Sequence, residues 1–294
     1  MKITIVGLGL MGGSLAKALR GWRNAEIAGI DKDINVINQA IADGAIDKYY
    51  LADEIVPEEA LAGDIVIIAL HPRAALDFIE KYGKFAGKKS LWTDIVGVKS
   101  TILNYAAKFI PKGVDFIGGH PMAGLEAFGY AHSTAALFKN CNYVLVAPPS
   151  VSEKSLELIK EMIFYIGAAR ITFSDAAKHD TMIAYVSQMP HVLAPAIIAG
   201  QNYFASKGFE GGSFHDLTRV GTLDPKLWSE LFLLNREPLS QILKDLEENT
   251  ASLRKLIERA EEPALIEALT RSSSRKKERA EKVSPAKAIT KKNE

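Results

Sequence analysis

Short apolar runs alternate with longer amphipathic stretches along the first half of the chain. Lys2–Val6, Ile27–Ile30, Ile65–Leu70, Leu91–Thr93, Phe116–Ile117 and Tyr143–Val146 are rich in Ile, Val and Leu, several almost without interruption. Runs of this kind predict strands of a parallel sheet covered on both faces. Gly12–Arg20, Asp33–Ala42 and Lys99–Phe109 lie between them with helical spacing. The alternation predicts repeated βαβ units, hence a doubly wound α/β domain with a mostly parallel sheet. Pro148-Pro149-Ser150 breaks the rhythm, Ser152 with Glu153 opens another helix, and Arg170–Phe173 adds a last strand.

Beyond Ser174 the strand signals stop. Ser174-Asp175 reads as a helix cap ahead of Ala176–Ala199, which is apolar on most faces. A helix apolar all round has to be buried in a bundle or against a second chain. Pro190 removes a backbone donor and crowds the carbonyl of Val186, so a kink is expected there. Further helices are expected at Pro225–Asn235 and Leu239–Arg259.

Composition narrows the class. A chain of 294 residues is comfortable for two domains, and 48% hydrophobic with 24% charged residues is ordinary for a globular protein. No uninterrupted apolar run approaches the roughly 18 residues needed to cross a bilayer, so no membrane span is expected. The strand pattern starts at Met1-Lys2-Ile3, which leaves no room for a signal peptide. Cys141 stands alone, without an internal disulfide or a metal cluster, and a reducing cytoplasm is the expected compartment. The formal charge of +1 conceals an asymmetry, because residues 271–294 carry nine Lys and Arg against three Glu and leave the remainder near −5. An acidic body argues against a nucleic-acid surface. The basic tail has almost no large apolar residues and is expected to stay disordered.

Gly7-Leu8-Gly9-Leu10-Met11-Gly12 is a G-x-G-x-x-G run between a strand and a helix. Its glycines permit the tight turn, close approach of a pyrophosphate and close helix–strand packing, and the helix start offers free N–H groups. A second strand ends in Asp31 at the spacing this fingerprint needs. Asp31 would accept the ribose hydroxyls of NAD and repel a 2′-phosphate; Lys32 beside it leaves NADP open. Leu70, ending the Ile65–Leu70 strand, completes the expected cofactor-binding set. Residues 1–173 are thus expected to form an NAD-binding Rossmann domain, 174–270 an all-α substrate and dimerisation domain, and 271–294 the tail.

The polar candidates cluster in three places. His120 lies in Gly118-Gly119-His120-Pro121-Met122-Ala123-Gly124 just after a strand, where a neutral imidazole can take a proton from a substrate hydroxyl as hydride leaves the same carbon. His191 follows Pro190 at the expected kink. Arg219 lies in His215-Asp216-Leu217-Thr218-Arg219, and its guanidinium fork suits a carboxylate. Among the rest, His71 either lines the cofactor cleft or sits on the surface, while His132 and His179 read as structural. Cys141 and Trp22, Trp92 and Trp228 read as packing residues.

These three blocks resemble the prephenate dehydrogenase family. Gly119-His120-Pro121-Met122-Ala123-Gly124 with Glu126 and Gly129 is similar to its histidine loop. His179-Asp180, Ala184 and Ser187-Gln188-Met189-Pro190-His191 are similar to its helical signature, and Asp216-Leu217-Thr218-Arg219, Asp224-Pro225, Trp228 and Asn235 to a third block. The resemblance implies an NAD-dependent oxidative decarboxylation in tyrosine biosynthesis, with prephenate or arogenate as substrate and intertwined helical domains forming a homodimer. It implies His120 as the catalytic residue, with His191, Arg219, Gln188 and His215 toward the substrate. Three positions depart from the family pattern. Gly97 stands where a serine usually helps orient the histidine, so that hydroxyl comes from elsewhere or a water replaces it. Gln188 replaces a histidine, and His215 replaces Lys or Arg. Family members with a regulatory domain run well past this length, so tyrosine control through one is not expected. Two rival readings remain: another Rossmann-plus-helices dehydrogenase using Lys178, which lacks the glycines such enzymes place there, and a nucleotide-binding sensor that has lost catalysis, which Gly97 would favour.

Overall fold

A computed structural model describes residues 1–281 and 288–290. In chain order the first part comprises β1 (Lys2–Val6), α1 (Leu10–Ala18), β2 (Glu26–Asp31), α2 (Ile34–Ala42), β3 (Lys48–Leu51), α3 (Pro57–Ala60), β4 (Ile65–Ile68), α4 (Pro72–Tyr82), β5 (Leu91–Asp94), α5 (Ser100–Phe109), β6 (Asp115–Pro121), β7 (Asn142–Val146), α6 (Glu153–Tyr165) and β8 (Arg170–Phe173). The strands form one sheet in the order β3-β2-β1-β4-β5-β6-β7-β8, with residues 288–290 (β9) added at its edge. Every pairing is parallel except β6–β7 and β8–β9. The expected parallel sheet therefore carries one reversal inside it. Its cause is local: the 122–141 connection holds only a 3-10 turn, Tyr130–His132, and no helix crosses back over the sheet there.

The apolar strands form the boundary of two cores. Ile3, Ile5, Ile27, Ile65 and Ile117 pack beneath α1, α2 and α6 on one face, while Val6, Val66, Ile68 and Trp92 pack against α4 and α5 on the other. Burying each such side chain is worth about 1.5–3 kcal/mol, which explains why the sheet dictates the position of everything at its ends. Chain order reverses between β1 and β4, so the turns after these strands diverge and open a crevice at their carboxyl ends. β3 and α4 escape the sequence pattern: Lys48-Tyr49-Tyr50-Leu51 lies at the sheet edge and is only partly buried.

The second part is helical: α7 (Ala176–Ile183), a π turn at Ala184–Gln188, α8 (Met189–Ile198), α9 (Gly212–Thr218), α10 (Pro225–Leu234), α11 (Arg236–Glu258) and α12 (Glu262–Glu281). Asp175 caps α7 by accepting from Lys178 N at 2.8 Å, and Asp224 caps α10 by accepting from Lys226 and Leu227 N. Caps of this type contribute about 1 kcal/mol each. Pro190, where a kink is expected, follows the π turn, which absorbs the missing amide one turn earlier.

Two sequence expectations change here. Ala176–Ile198 is long and apolar enough to cross a membrane by length and composition alone, although polar residues interrupt its apolar run. In this fold its polar residues are buried, His179 and Asp180 against the first part and Gln188 against Leu231 and Asn235 of the helical part. The tail expected at 271–294 is helical as far as Glu281, because its Arg, Lys, Glu and Ala are strong helix formers and Arg271 bonds Glu267 one turn back. Residues 282–287 and 291–294 lie outside the described residues.

Candidate active site

The glycine turn after β1 is shaped by what its glycines lack. Gly7 has φ +90°, and a Cβ there would lie 2.6 Å from Ala69 O. A Cβ on Gly12 would lie 1.8 Å from Gly7 O, whereas one on Gly9 would meet nothing within 4 Å. The first and last glycines therefore close the turn, and the middle one leaves the face open to a ligand at the N-terminus of α1. Asp31, ending β2, accepts from Leu8 N at 2.7 Å and Asp33 N at 3.0 Å, which holds its carboxylate beside the turn. Gly9, Leu10, Met11 and Leu70 line the adjoining cleft. Leu8 differs from the expectation: its side chain is fully buried against Gly29, and only its backbone serves the site.

The cleft has a volume of about 990 Å³ and lies between the carboxyl ends of the strands and the helices α8 and α10. His120, Gln188, His191 and Arg219 all border it, so four of the five catalytic or substrate-binding candidates are brought together from three distant stretches. His215 is the exception. It is exposed on α9 and does not border the cleft, because its helix turns that face to solvent.

His120 sits at the end of β6, paired with Val144 of β7. Its Nδ1 lies 2.9 Å from His179 Nε2, and His179 Nδ1 lies 2.8 Å from Asp180 Oδ1. Asp180 also accepts from Lys99 N at 2.7 Å and Ser100 N at 2.8 Å, which caps α5 from the helical part. Burial alone would raise the Asp180 carboxyl, but the bonds from His179, Ser100 and Lys99 hold it below its ordinary value. Burial, with His179 and Lys99 nearby, pushes His120 well below the ordinary histidine range despite the attraction of Asp180. His120 is therefore held in its neutral form.

Beneath this chain lies a fully buried pair. Lys99 Nζ is 2.5 Å from Asp94 Oδ2 and also donates to the carbonyls of Val96 and Val98. These bonds pin the loop carrying Gly97. A Cβ on Gly97 would lie 3.0 Å from Leu231 Cδ2 and 3.9 Å from His120 Cε1, so Leu231 fills the space a larger residue would need. His120 takes its orientation from His179, not from a hydroxyl in this loop.

His191 stacks on Trp228 with ring centroids 3.7 Å apart and its Nδ1 donates to Ser187 O at 2.8 Å, leaving Nε2 free. Burial lowers it, and Arg219 adds to the effect. Arg219 is exposed and paired with Glu126 of the histidine loop at 2.5 Å. Gln188 is only 1% exposed, with its amide donating to Leu231 O and accepting from Asn235. Both its polar ends are engaged, so it braces the π turn against α10 and Asn235 instead of offering a free group to the cleft. His71 borders the cleft before α4, and burial pushes the Cys141 thiol up to about 11, which makes it a poor nucleophile. Among the described residues no group of three His, Cys, Asp or Glu could hold a metal ion. Sequence reasoning undervalued His179, Asp180 and Lys99; the visible signal was a His-Asp pair at the start of an otherwise apolar helix.

Comparison with known proteins bears on this arrangement. Residues 15–172 match the family model described as prephenate dehydrogenase, nucleotide-binding domain, and 175–271 match prephenate dehydrogenase, dimerization domain. The prephenate dehydrogenases of Lactococcus lactis and Bacillus subtilis are 34% and 29% identical over 244 residues, covering 80% and 81% of this chain. The chain spans 65% of the length of each of these relatives. The crystal structure of prephenate dehydrogenase from A. aeolicus in complex with hydroxyphenyl propionate and NAD⁺ superposes with a TM-score of 0.84 at 28% identity, covering 95% of this chain and 98% of that one. With the cleft histidine inside the first of two consecutive family matches and the helical part inside the second, this chain is a member of the prephenate dehydrogenase family.

Proposed function

We propose that this chain catalyses prephenate + NAD⁺ → 4-hydroxyphenylpyruvate + CO₂ + NADH, a step of tyrosine biosynthesis. The observation that carries the reading is a neutral His120 bordering the same cleft as the glycine turn, with one ring nitrogen free. Residues 1–173 serve the nucleotide and 174–270 the substrate.

The residues fit the dinucleotide. Gly9 leaves the turn open to a pyrophosphate, and Asp31 beside it suits free ribose hydroxyls and repels a 2′-phosphate, favouring NAD over NADP. NAD⁺, when bound, supplies the hydride acceptor. His120 Nε2 takes the proton of the ring hydroxyl as the C4 hydrogen leaves with its electron pair. Loss of the ring carboxylate as CO₂ sends electrons into the ring, and His120 returns its proton to the phenol oxygen, which balances the step. Arg219, now paired with Glu126, would turn to a substrate carboxylate, and His191 Nε2 offers a further contact. Gln188 would act on substrate only indirectly, and His215 only by movement of α9.

The helical part also supports a homodimer, since the helix running through α7 and α8 leaves Met182, Tyr185 and Val186 exposed in the single chain. The cytoplasm is the compartment in which this reaction is expected.

The test is absorbance at 340 nm with purified protein, NAD⁺ and either prephenate or arogenate. NADH from prephenate is expected, and His120→Asn should keep NADH binding while losing about 10²–10⁴-fold in kcat. Activity on arogenate alone would change the substrate and keep the chemistry. Silence with both would sink the proposal in favour of a nucleotide-binding sensor.

A further inference from the structure

We propose that His179 and Asp180 are positioning residues that lock His120 as its Nδ1–H tautomer, so that Nε2 always presents a lone pair to the cleft. The inference rests on His120 being the base in the reaction above, but its geometry stands independently. Asp180 is the end of the chain of bonds and decides its direction. It accepts from three donors, His179 Nδ1, Lys99 N and Ser100 N, at 2.7–2.8 Å. It also sits at the N-terminus of α5, whose first turn has no cap from its own segment. A carboxylate held by three donors and a helix dipole is an acceptor only. His179 must then carry its proton on Nδ1, which leaves Nε2 as an acceptor. The atom 2.9 Å away, His120 Nδ1, must be the donor.

Burial makes this direction firm. His179 is 2% and Asp180 5% exposed, so water does not compete for either. Burial pushes His179 downward against the pull of Asp180, which keeps it a neutral relay between the two. Lys99 also acts on His120, and its charge is paired with Asp94. When His120 accepts a proton at Nε2, its Nδ1–H remains bonded to His179, and the Asp180 charge lies one ring away to offset the imidazolium. The buried aspartate of a Ser-His-Asp triad acts on its histidine in the same manner, with one ring fewer between.

The alternative role is purely structural: Asp180 as the cap of α5 and His179 as filling. The two are separated by Asp180→Asn. An amide there must point its NH₂ at one of three donors, and His179 relieves the conflict by moving its proton to Nε2. His120 Nδ1 then becomes an acceptor and its proton moves to Nε2, the nitrogen the reaction needs empty.

The experiment is the imidazole nitrogen spectrum of uniformly ¹⁵N-labelled full-length protein near pH 8, with the His120 signals assigned by their loss in His120→Asn. Wild type is expected to show a protonated Nδ1 and a bare Nε2 on His120, and Asp180→Asn the reverse. In turnover, Asp180→Asn should lose roughly 10²–10⁴-fold in kcat with the KM for NAD⁺ within about three-fold. Adding His179→Gln should restore at least about ten-fold, because the glutamine carbonyl can accept from His120 Nδ1 without help from residue 180. A wild-type His120 protonated on Nε2 overturns the proposal even if Asp180→Asn does not fold. So does an Asp180→Asn protein with wild-type kcat. The spectrum needs no substrate, so a protein inert toward prephenate would end the proposed reaction and leave the tautomer result to be read separately.

Discussion

Three of the histidines that border or underlie the cleft, His120, His179 and His191, are each held toward the neutral form chiefly by burial. In the unfolded chain they would titrate near their ordinary value of about 6.5. Between that value and their lower folded values the unfolded state binds more protons, so acid favours unfolding there. Their contribution is complete above the unfolded value and is lost as pH falls from it through the lower folded values. Asp180, held low in the fold, extends the loss in the same direction at still lower pH. Tm is therefore expected to fall from pH 7.5 to 5.5, with a slope reaching about 1.4 kcal/mol per pH unit for each histidine. His120→Asn should flatten that slope. Scanning calorimetry across this range decides the matter, and a wild-type Tm independent of pH would contradict it.

The elements of the two parts are joined by acidic residues reaching helix starts. Asp180 of α7 caps α5, and Glu230 of α10, itself buried, accepts from Arg73 N at 3.0 Å in the first turn of α4. Both α4 and α5 begin at the strand ends that border the cleft, so these caps hold the helical part over the site. Asn235 adds a third tie inside the helical part by donating to Asp180 O and Gln188 Oε1. Truncating Glu230 leaves a partly buried amide of α4 without its acceptor. Glu230→Ala is expected to cost about 1–2 kcal/mol in urea unfolding, and Glu230→Gln, which keeps one acceptor, clearly less. Equal stabilities for the two variants would show that the contact is not a cap.

For the whole molecule, the apolar surface is unevenly placed. Tyr185 and Val186 on the π turn are about half exposed, and Phe204 and Phe209 in the following segment are 90% and 89% exposed. Large exposed apolar groups gathered on one part of a chain mark a surface that another molecule covers. With the dimer proposed above, sedimentation equilibrium should return twice the chain mass. Tyr185→Glu combined with Val186→Glu should return a single-chain mass, because charges would then face each other across the axis. A wild-type protein that is monomeric and fully active would remove the second chain from the proposal.

Local features were legible without a structure wherever neighbours in the chain create them. The glycine turn, Asp31 at the end of its strand, the caps at Asp175 and Asp224 and the apolar strands are matters of spacing over a few residues. His120 in its glycine loop and Arg219 in its polar loop stood out as candidates, and the family resemblance gave them their expected roles. The β6–β7 reversal, the helical course of residues 271–281 and the exposure of His215 depend on how distant segments meet, and the pattern carried no sign of them. The same holds for the bonds that orient His120. His179 lies 59 residues from it in the chain, and Asp180 lies 81 from Lys99. Side-chain identity supplies the donors and acceptors, but the direction of a bond is decided by which partner arrives. That is settled only when α7 packs against the start of α5 and the end of β6.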